Sequence, residues 1–292
     1  MQLAPLDNSV VFKKLFRDPE ILTAFFKDLT GIQLNLKAEN IELEKKFDPP
    51  IGLIDIAFDI FAEDPERRVV VEIQRVYYTY LLDRFTHYHY AAIMELQRNY
   101  QRYTPERTVY TIAWLTMKSE EPPFNQGLSV SRHYFESTAG VQGGESSHRM
   151  YLINPNYIDQ TIPADVGDWL KLAYESIENP THPTVNLQRP IFVKATNLIA
   201  SDTITAAERA AIMDEHEWQE KLQQNAQKER SEGIEQGIEQ GIEQGIEQGI
   251  ELGDERGRKA VARSMLAKSM SVELITELTG LDAAEVTALQ HG

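Results

Sequence analysis

Ile54-Asp55-Ile56-Ala57-Phe58-Asp59-Ile60-Phe61 and Val69-Val70-Val71-Glu72-Ile73-Gln74, joined through Asp64-Pro65-Glu66-Arg67, form the stretch whose reading decides the fold. Ile54, Ile56, Phe58 and Ile60 recur at every second position, the period of a β-strand. Pro65 occupies the second of four turn positions, where its fixed φ suits a β-turn. Val69, Val71 and Ile73 then alternate with Val70, Glu72 and Gln74 as a returning strand. With Pro65-Glu66 as the loop, opposed positions sum to 131, so Asp59 faces Glu72 and Ala57 faces Gln74. Both carboxylates then leave one face of the hairpin, roughly 5 Å apart at Cβ. The opposite face is apolar and must lie on the core. A bulge or a three-residue loop would break this parity.

Working outward, Asp7-Asn8-Ser9 before Val10, Val11, Phe12, Leu15 and Phe16 predicts an N-cap and a short amphipathic helix. Pro19–Leu29 predicts a second helix, stopped by Gly31, and Asn40–Phe47 alternates like a strand before Pro49-Pro50. Tyr77, Leu81, Phe85, Tyr88, Ala92 and Leu96 share one helical face, which predicts a long helix over Val76–Tyr103. Further strands are expected at Thr108–Met117, Leu128–Phe135 and Arg149–Ile153, and helices at Ala164–Ile177, Ile191–Ala200 and Ala206–Ala226. Two helices, a strand, a hairpin, a helix and a strand describe a compact α/β core rather than a repeated βαβ array. His87 and His89 point to nearly opposite sides of a helix and read as separate, partly exposed histidines, not a metal pair.

The chain has 292 residues, 45 acidic against 29 basic, a net charge of −16 and no cysteine. Such acidity opposes indiscriminate binding to nucleic acid or anionic membranes. The missing cysteines exclude disulfides, thiolate zinc sites and a cysteine nucleophile, and suit a reducing, cytoplasmic setting. No signal-like start and no apolar run of membrane-spanning length is present, so no membrane association is expected. Residues 1–150 hold 17 basic and 21 acidic side chains, net −4, so −12 belongs to residues 151–292. Within residues 67–107, seven arginines interleave with tyrosines, a pattern that fits either a nucleic-acid surface or a solvated helix face with a Tyr-rich core side.

Two acids opposed in a sheet repel unless something neutralises them. A divalent hard cation does so, and Mg²⁺ characteristically takes one or two carboxylates plus waters and phosphate oxygens. Such a metal polarises a phosphodiester and acidifies its bound water, and a side chain two residues after the Glu, Gln74, stays on the same face. Two surface acids on a half-exposed hairpin would give the same spacing. No phosphate-binding Gly-Lys loop, dinucleotide fingerprint or His-Glu-x-x-His is present.

Asp7-Asn8-Ser9-Val10-Val11-Phe12-Lys13-Lys14-Leu15-Phe16, Asp59-Ile60, Glu72-Ile73-Gln74 and Arg84 with Tyr88 resemble the Rpn family of recombination-promoting nucleases, also called transposases, of the PD-(D/E)XK superfamily. The resemblance is strongest over residues 7–117 and in a Gly-Ile-Glu-Gln tail. It implies an α/β, restriction-endonuclease-like core of order αβββαβ with a helical C-terminal extension. It also implies a Mg²⁺- or Mn²⁺-dependent endodeoxyribonuclease serving recombination or phage defence, with DNA as partner. Asp59 and Glu72 would be metal ligands and, with Gln74, catalytic. Gln74 stands where the wider superfamily usually places a lysine, though Gln is usual within the family. Lys13, Lys14 and Arg84 would contact phosphate, while Asp7, Asp55 and Tyr88 are accessory candidates, Asp7 serving equally well as a helix cap. The competing expectation is a non-enzymatic interaction or DNA-binding protein that retains the fold.

Gly233-Ile234-Glu235-Gln236 recurs from 237, 241 and 245 and then decays. A period of 4 drifts around a 3.6-residue helix, and a glycine at each fourth place costs about 1 kcal/mol relative to alanine. The reading favoured is a helical linker, with homo-oligomer formation through the repeat as the alternative. Ser271–Ile275 followed by Thr279-Gly280-Leu281 has helix-turn-helix spacing. The helix after it carries Asp282 and Glu285 without Arg or Lys, which favours a helical cap or partner-binding hairpin. The expected organisation is a nuclease-like core over 1–160, a helical extension packed on it over 161–228, the repeat over 229–257 and a helical hairpin over 258–292.

Overall fold

The computed structural model describes residues 1–47, 56–96, 105–132, 135–136, 138, 140 and 142–289. Contacts divide the chain into two units, Met1–Glu220 and Lys221–Gly292. In the first, α1 (Ser9–Phe16) and α2 (Pro19–Thr30) precede β1 (Ile41–Phe47), β2 (Ile56–Glu63), β3 (Arg67–Gln74), α3 (Leu81–Glu95) and β4 (Thr108–Leu115). There follow β5 (Leu128–Val130), β6 (Phe135–Glu136), β7 (Gln142–Gly143), β8 (Arg149–Ile153), α4 (Ala164–Glu178) and α5 (Pro190–Leu198). The main sheet has the order β1-β2-β3-β4-β8-β5. β1, β2 and β3 form an antiparallel meander, whereas β4 runs parallel to β3 and to β8. Parallel neighbours need a crossover, and α3 supplies it between β3 and β4.

Both faces of the sheet are covered, which is why its central strands are almost continuously apolar. On one face Ile60, Ala62, Val69, Val71, Tyr110, Ile112 and Trp114 share a core with Phe12, Phe16, Phe25, Trp169 and Phe192. On the other, Phe61, Val70 and Val109 pack with Tyr88, Ala91 and Ala92 of α3, while Ala113, Leu115 and Leu152 pack with Leu81 and Phe85. α4 and α5 therefore close the same core as α1 and α2.

The helix ends follow their local chemistry. Asn8, not Asp7, caps α1, its side chain accepting from the Val10 and Val11 amides. Asp18 caps α2 ahead of Pro19, and Gly31 ends it at φ 76°. The helix expected from Val76 starts only at Leu81; residues 76–80 form a connecting segment, and 97–104 lie outside the described residues. Tyr80 caps α3 without any side-chain bond. His89 is buried rather than partly exposed, with Nδ1 2.9 Å from Thr111 Oγ1.

α6 (Ala206–Ala267) takes in the whole Gly-Ile-Glu-Gln repeat, and Ile234, Ile238, Ile242, Ile246 and Ile250 on it are exposed. In the second unit α7 (Val272–Thr279) and α8 (Ala283–Ala288) follow. Ala262, Ile275, Leu281 and Val286 form a small core of their own. Ser271 caps α7, Gly280 turns the chain at φ 69°, and Asp282 with Glu285 makes a capping box on α8. These two acids thus have a local structural task. No helix among the described residues is long and apolar enough to cross a membrane.

Candidate active site

The β2–β3 hairpin keeps the expected register over four pairs, from Glu63↔Arg68 to Ile60↔Val71. The ladder then stops one step short of the acids. In place of backbone pairing, the Asp59 amide donates to Glu72 Oε1 at 3.0 Å, and the Ile73 amide donates to Asp59 Oδ2 at 3.0 Å. Each carboxylate satisfies an amide of the opposite strand, so the strands part with both acids held between them. This corrects the expectation of a regular ladder through Asp59–Glu72 and Ala57–Gln74. On the other side of Asp59, β1 pairs Leu43 with Ile60 and Lys45 with Phe58 but leaves out Glu44, which sits at φ 52°. A non-glycine residue in this region marks local strain.

One consequence is a reversal of the strand's faces. Ile60 and Ala62 enter the core under α1 and α2, whereas Ile56 and Phe58, of the same parity, enter the core under α3. The uninterrupted alternation expected from Ile54 to Ile60 therefore fails at Asp59. The acid-bearing side of the hairpin is also covered instead of half-exposed, and Glu72 is only 2% exposed. Burial, and then the Asp59 charge, push the Glu72 carboxyl well above the usual carboxylate range.

Lys13 of α1 reaches this point. Its Nζ lies 3.2 Å from Asp59 Oδ1 and donates to Glu44 Oε1 at 3.0 Å. Burial works against its charge, but Asp59 and Glu44 outweigh it and the ammonium is held more firmly protonated. Gln74 donates through Nε2 to the Val76 carbonyl at 2.6 Å and accepts at Oε1 from Arg84 Nη1 at 2.7 Å. The Arg84 guanidinium stacks over Tyr88, 5.3 Å from its ring centre, and Tyr88 abuts Phe58 edge-on. Asp59, Glu72, Gln74, Lys13, Arg84 and Tyr88 are thus one connected cluster.

Lys14 lies apart from it, bonded to the Thr203 carbonyl at 2.8 Å and to Glu208 at 3.1 Å. Asp7 is half-buried, its carboxyl raised by burial against the pull of Arg75. Asp55 lies outside the described residues. Two participants escaped the sequence reading. Glu44 carries no signal beyond alternation in a strand. Glu215 of α6 accepts from the Ser9 amide at 3.1 and 3.2 Å and pairs with Arg75, a contact that spans most of the unit.

Among the described residues no group of three or more His, Cys, Asp or Glu side chains is arranged to hold a metal. Asp59 and Glu72 are a pair. A pair fits Mg²⁺, which completes its shell with water and phosphate. Each acid has one oxygen fixed by a backbone amide, and the ionised pair, with Glu72 buried beside a like charge, calls for a cation.

Residues 257–291 match the family model described as the C-terminal HTH domain of the Rpn/YhgA-like nuclease family. The expectation of a helical cap or partner-binding hairpin at this end is thereby corrected to an HTH domain. No curated protein and no solved structure matches the chain. The family model coincides with α7, α8 and the end of α6, so the C-terminal end of the chain is similar to the HTH domain of the Rpn/YhgA-like nuclease family.

Proposed function

We propose that the first unit is a metal-dependent endodeoxyribonuclease of PD-(D/E)XK type, with recombination or phage defence as its setting. The observation that supports this reading most is the reciprocal clamp at Asp59 and Glu72. It holds two like charges together, one of them buried, at the cost of the three ladder pairs expected from Asp59–Glu72 to Ala57–Gln74. A structural role alone would favour pairing the backbone and moving the acids to water. The α–β–β–β–α–β succession and the family's nuclease description support it as well.

Asp59 and Glu72 would hold Mg²⁺ or Mn²⁺. When bound, the ion would supply Lewis-acid polarisation of the phosphodiester and a more acidic water. The chain's own groups do the rest. The backbone amides of Asp59 and Ile73 orient the two carboxylates, and Lys13 holds positive charge against Asp59. Arg84 and the Val76 carbonyl lock the Gln74 amide in one orientation. Gln74 is therefore a positioning group, not a proton carrier. The HTH domain is the second DNA contact in this proposal, and self-association through the exposed isoleucines of α6 is a further proposal.

Supercoiled plasmid incubated with the full chain and Mg²⁺ or Mn²⁺ tests the reading. Nicking that EDTA abolishes and Asp59→Asn removes is the expected result. Equal nicking by Asp59→Asn would overturn the site. No cleavage with either metal, on duplex or single-stranded DNA, would favour the non-enzymatic alternative.

Lys13 carries a separate expectation. Lys13→Met leaves Asp59 and Glu44 without their ammonium, and should destabilise the metal-free protein by about 1.5–3 kcal/mol, the value of a charge-assisted bond. Thermal melting in EDTA measures this loss, and Mg²⁺ should restore more stability to Lys13→Met than to the unsubstituted protein. An unchanged melting temperature in EDTA would show that the contact contributes nothing.

A further inference from the structure

We propose that Tyr78 and Tyr80 form a stacking platform for an unpaired nucleobase, so that the favoured DNA is single-stranded or locally opened. This inference rests on the nuclease reading of the Asp59–Glu72 site and specifies its substrate class.

The first observation is placement. Residues 75–80 join Gln74, inside the site, to the first turn of α3. The Arg84 amide donates to the Tyr80 carbonyl at 3.0 Å, and the Arg84 guanidinium bonds Gln74. Tyr80 therefore stands about one helical turn, roughly 6 Å along the axis, from a residue that contacts the site. The second is geometry. Tyr78 and Tyr80 lie ring on ring, 5.3 Å between centres and 16° between planes, and Tyr80 is 56% exposed. Tyr77 is arranged otherwise: its hydroxyl bonds Glu121 and its ring abuts Phe124 edge-on. The segment thus turns one tyrosine inward and stacks the other two.

The third observation concerns charge. Among the described residues, three cations that act on the carboxylate pair are engaged within the protein. Lys13 bonds Asp59 and Glu44, Arg75 bonds Glu215, and Arg84 bonds Gln74. With these three engaged and a net charge of −4 over residues 1–150, they offer little for a purely electrostatic grip on a duplex backbone. A base offers a π-face instead, and sequence-tolerant stacking on aromatic side chains is the usual means of holding single strands. The exposed face of the Tyr80 ring is of that kind. In this proposal a base stacked there leads its strand towards the site through Arg84 and Gln74.

Binding without cleavage tests this on the full chain in EDTA, by fluorescence anisotropy. The probes are a labelled single strand, its duplex, and an abasic single strand that keeps the phosphates but lacks bases. Single-strand binding should depend on the bases and on Tyr80, whereas duplex binding, to which the HTH domain would contribute, should not. Tyr80→Ala should weaken single-strand binding by about tenfold, leave duplex and abasic binding unchanged, and be rescued by Tyr80→Phe, which keeps the ring. Unchanged single-strand binding by Tyr80→Ala, or an equal loss on the abasic strand, overturns the platform. The two readings fail separately. Plasmid nicking without Tyr80-dependent binding sinks the platform alone, whereas base-dependent binding without cleavage in any metal sinks the nuclease reading alone.

Discussion

Glu72→Gln should abolish DNA cleavage and at the same time raise the melting temperature of the metal-free protein. The amide keeps an oxygen for the Asp59 amide, so the clamp between β2 and β3 survives. The variant loses the negative charge that burial and Asp59 both oppose. Relieving a destabilised site typically gains about 0.5–2 kcal/mol, or roughly 2–6 °C for a unit of this size. Its cleavage rate should fall by about a thousandfold, the scale of removing one key electrostatic group. The effect carries a pH signature. Because the folded-state value of Glu72 is raised, the native protein retains a proton that the unfolded chain has lost. Its stability is therefore greatest below the ordinary carboxylate range and falls as pH rises towards the raised value. Glu72→Gln lacks this slope, so the two melting curves should converge in acid and separate with rising pH. A melting temperature for Glu72→Gln below that of the unsubstituted protein at neutral pH in EDTA would refute the idea of a strained pair.

The largest stability loss is expected from Trp114→Ala. Trp114, on β4, is 1% exposed. Its ring meets Phe12 at 5.7 Å, Phe16 at 5.5 Å and Phe25 at 5.4 Å, so one side chain ties the sheet to α1 and α2. Truncation should cost about 3–5 kcal/mol through lost burial and the cavity left behind, a fall on the order of 10 °C. Trp114→Phe offers a sharper comparison. Among the described residues the Trp114 indole N–H has no hydrogen-bond partner. Phenylalanine keeps most of the aromatic contact and removes a buried donor whose isolation costs about 1–3 kcal/mol. Urea unfolding should place Trp114→Phe close to the unsubstituted protein and far from Trp114→Ala. Equal losses for the two variants would show that indole volume alone decides.

The acidity reads differently once partners are known. Lys13 and Arg75 pair with acids, Arg84 bonds Gln74, and Lys14, apart from the site, pairs with Glu208, so these basic residues shape the fold of the first unit. Cations in a core of net −4 are not by themselves a nucleic-acid surface.

Several elements were legible because their cause is local. Asn8, Asp18-Pro19 and Gly31 mark the ends of α1 and α2 by backbone chemistry within a few residues. Asp64-Pro65-Glu66-Arg67 sets the hairpin register, and four observed pairs follow it. The start of α3 was not legible. Tyr77, Leu81 and Phe85 continue one helical spacing, and Tyr80 offers no capping side chain to announce the true first turn. His89 is buried because Thr111 of β4 lies beneath it, a partner 22 residues away.

With Pro65-Glu66 as the loop, a period of two was enough to bring Asp59 and Glu72 close, so long as no bulge broke the parity between them. Only the tertiary structure decided what their closeness does. Glu44 is left out of the β1–β2 pairing, Lys13 arrives from α1 and α3 covers the outer face, and in that setting the two opposed acids become a clamped pair with Glu72 buried. Those three influences come from separate elements, and no spacing within the hairpin encodes them.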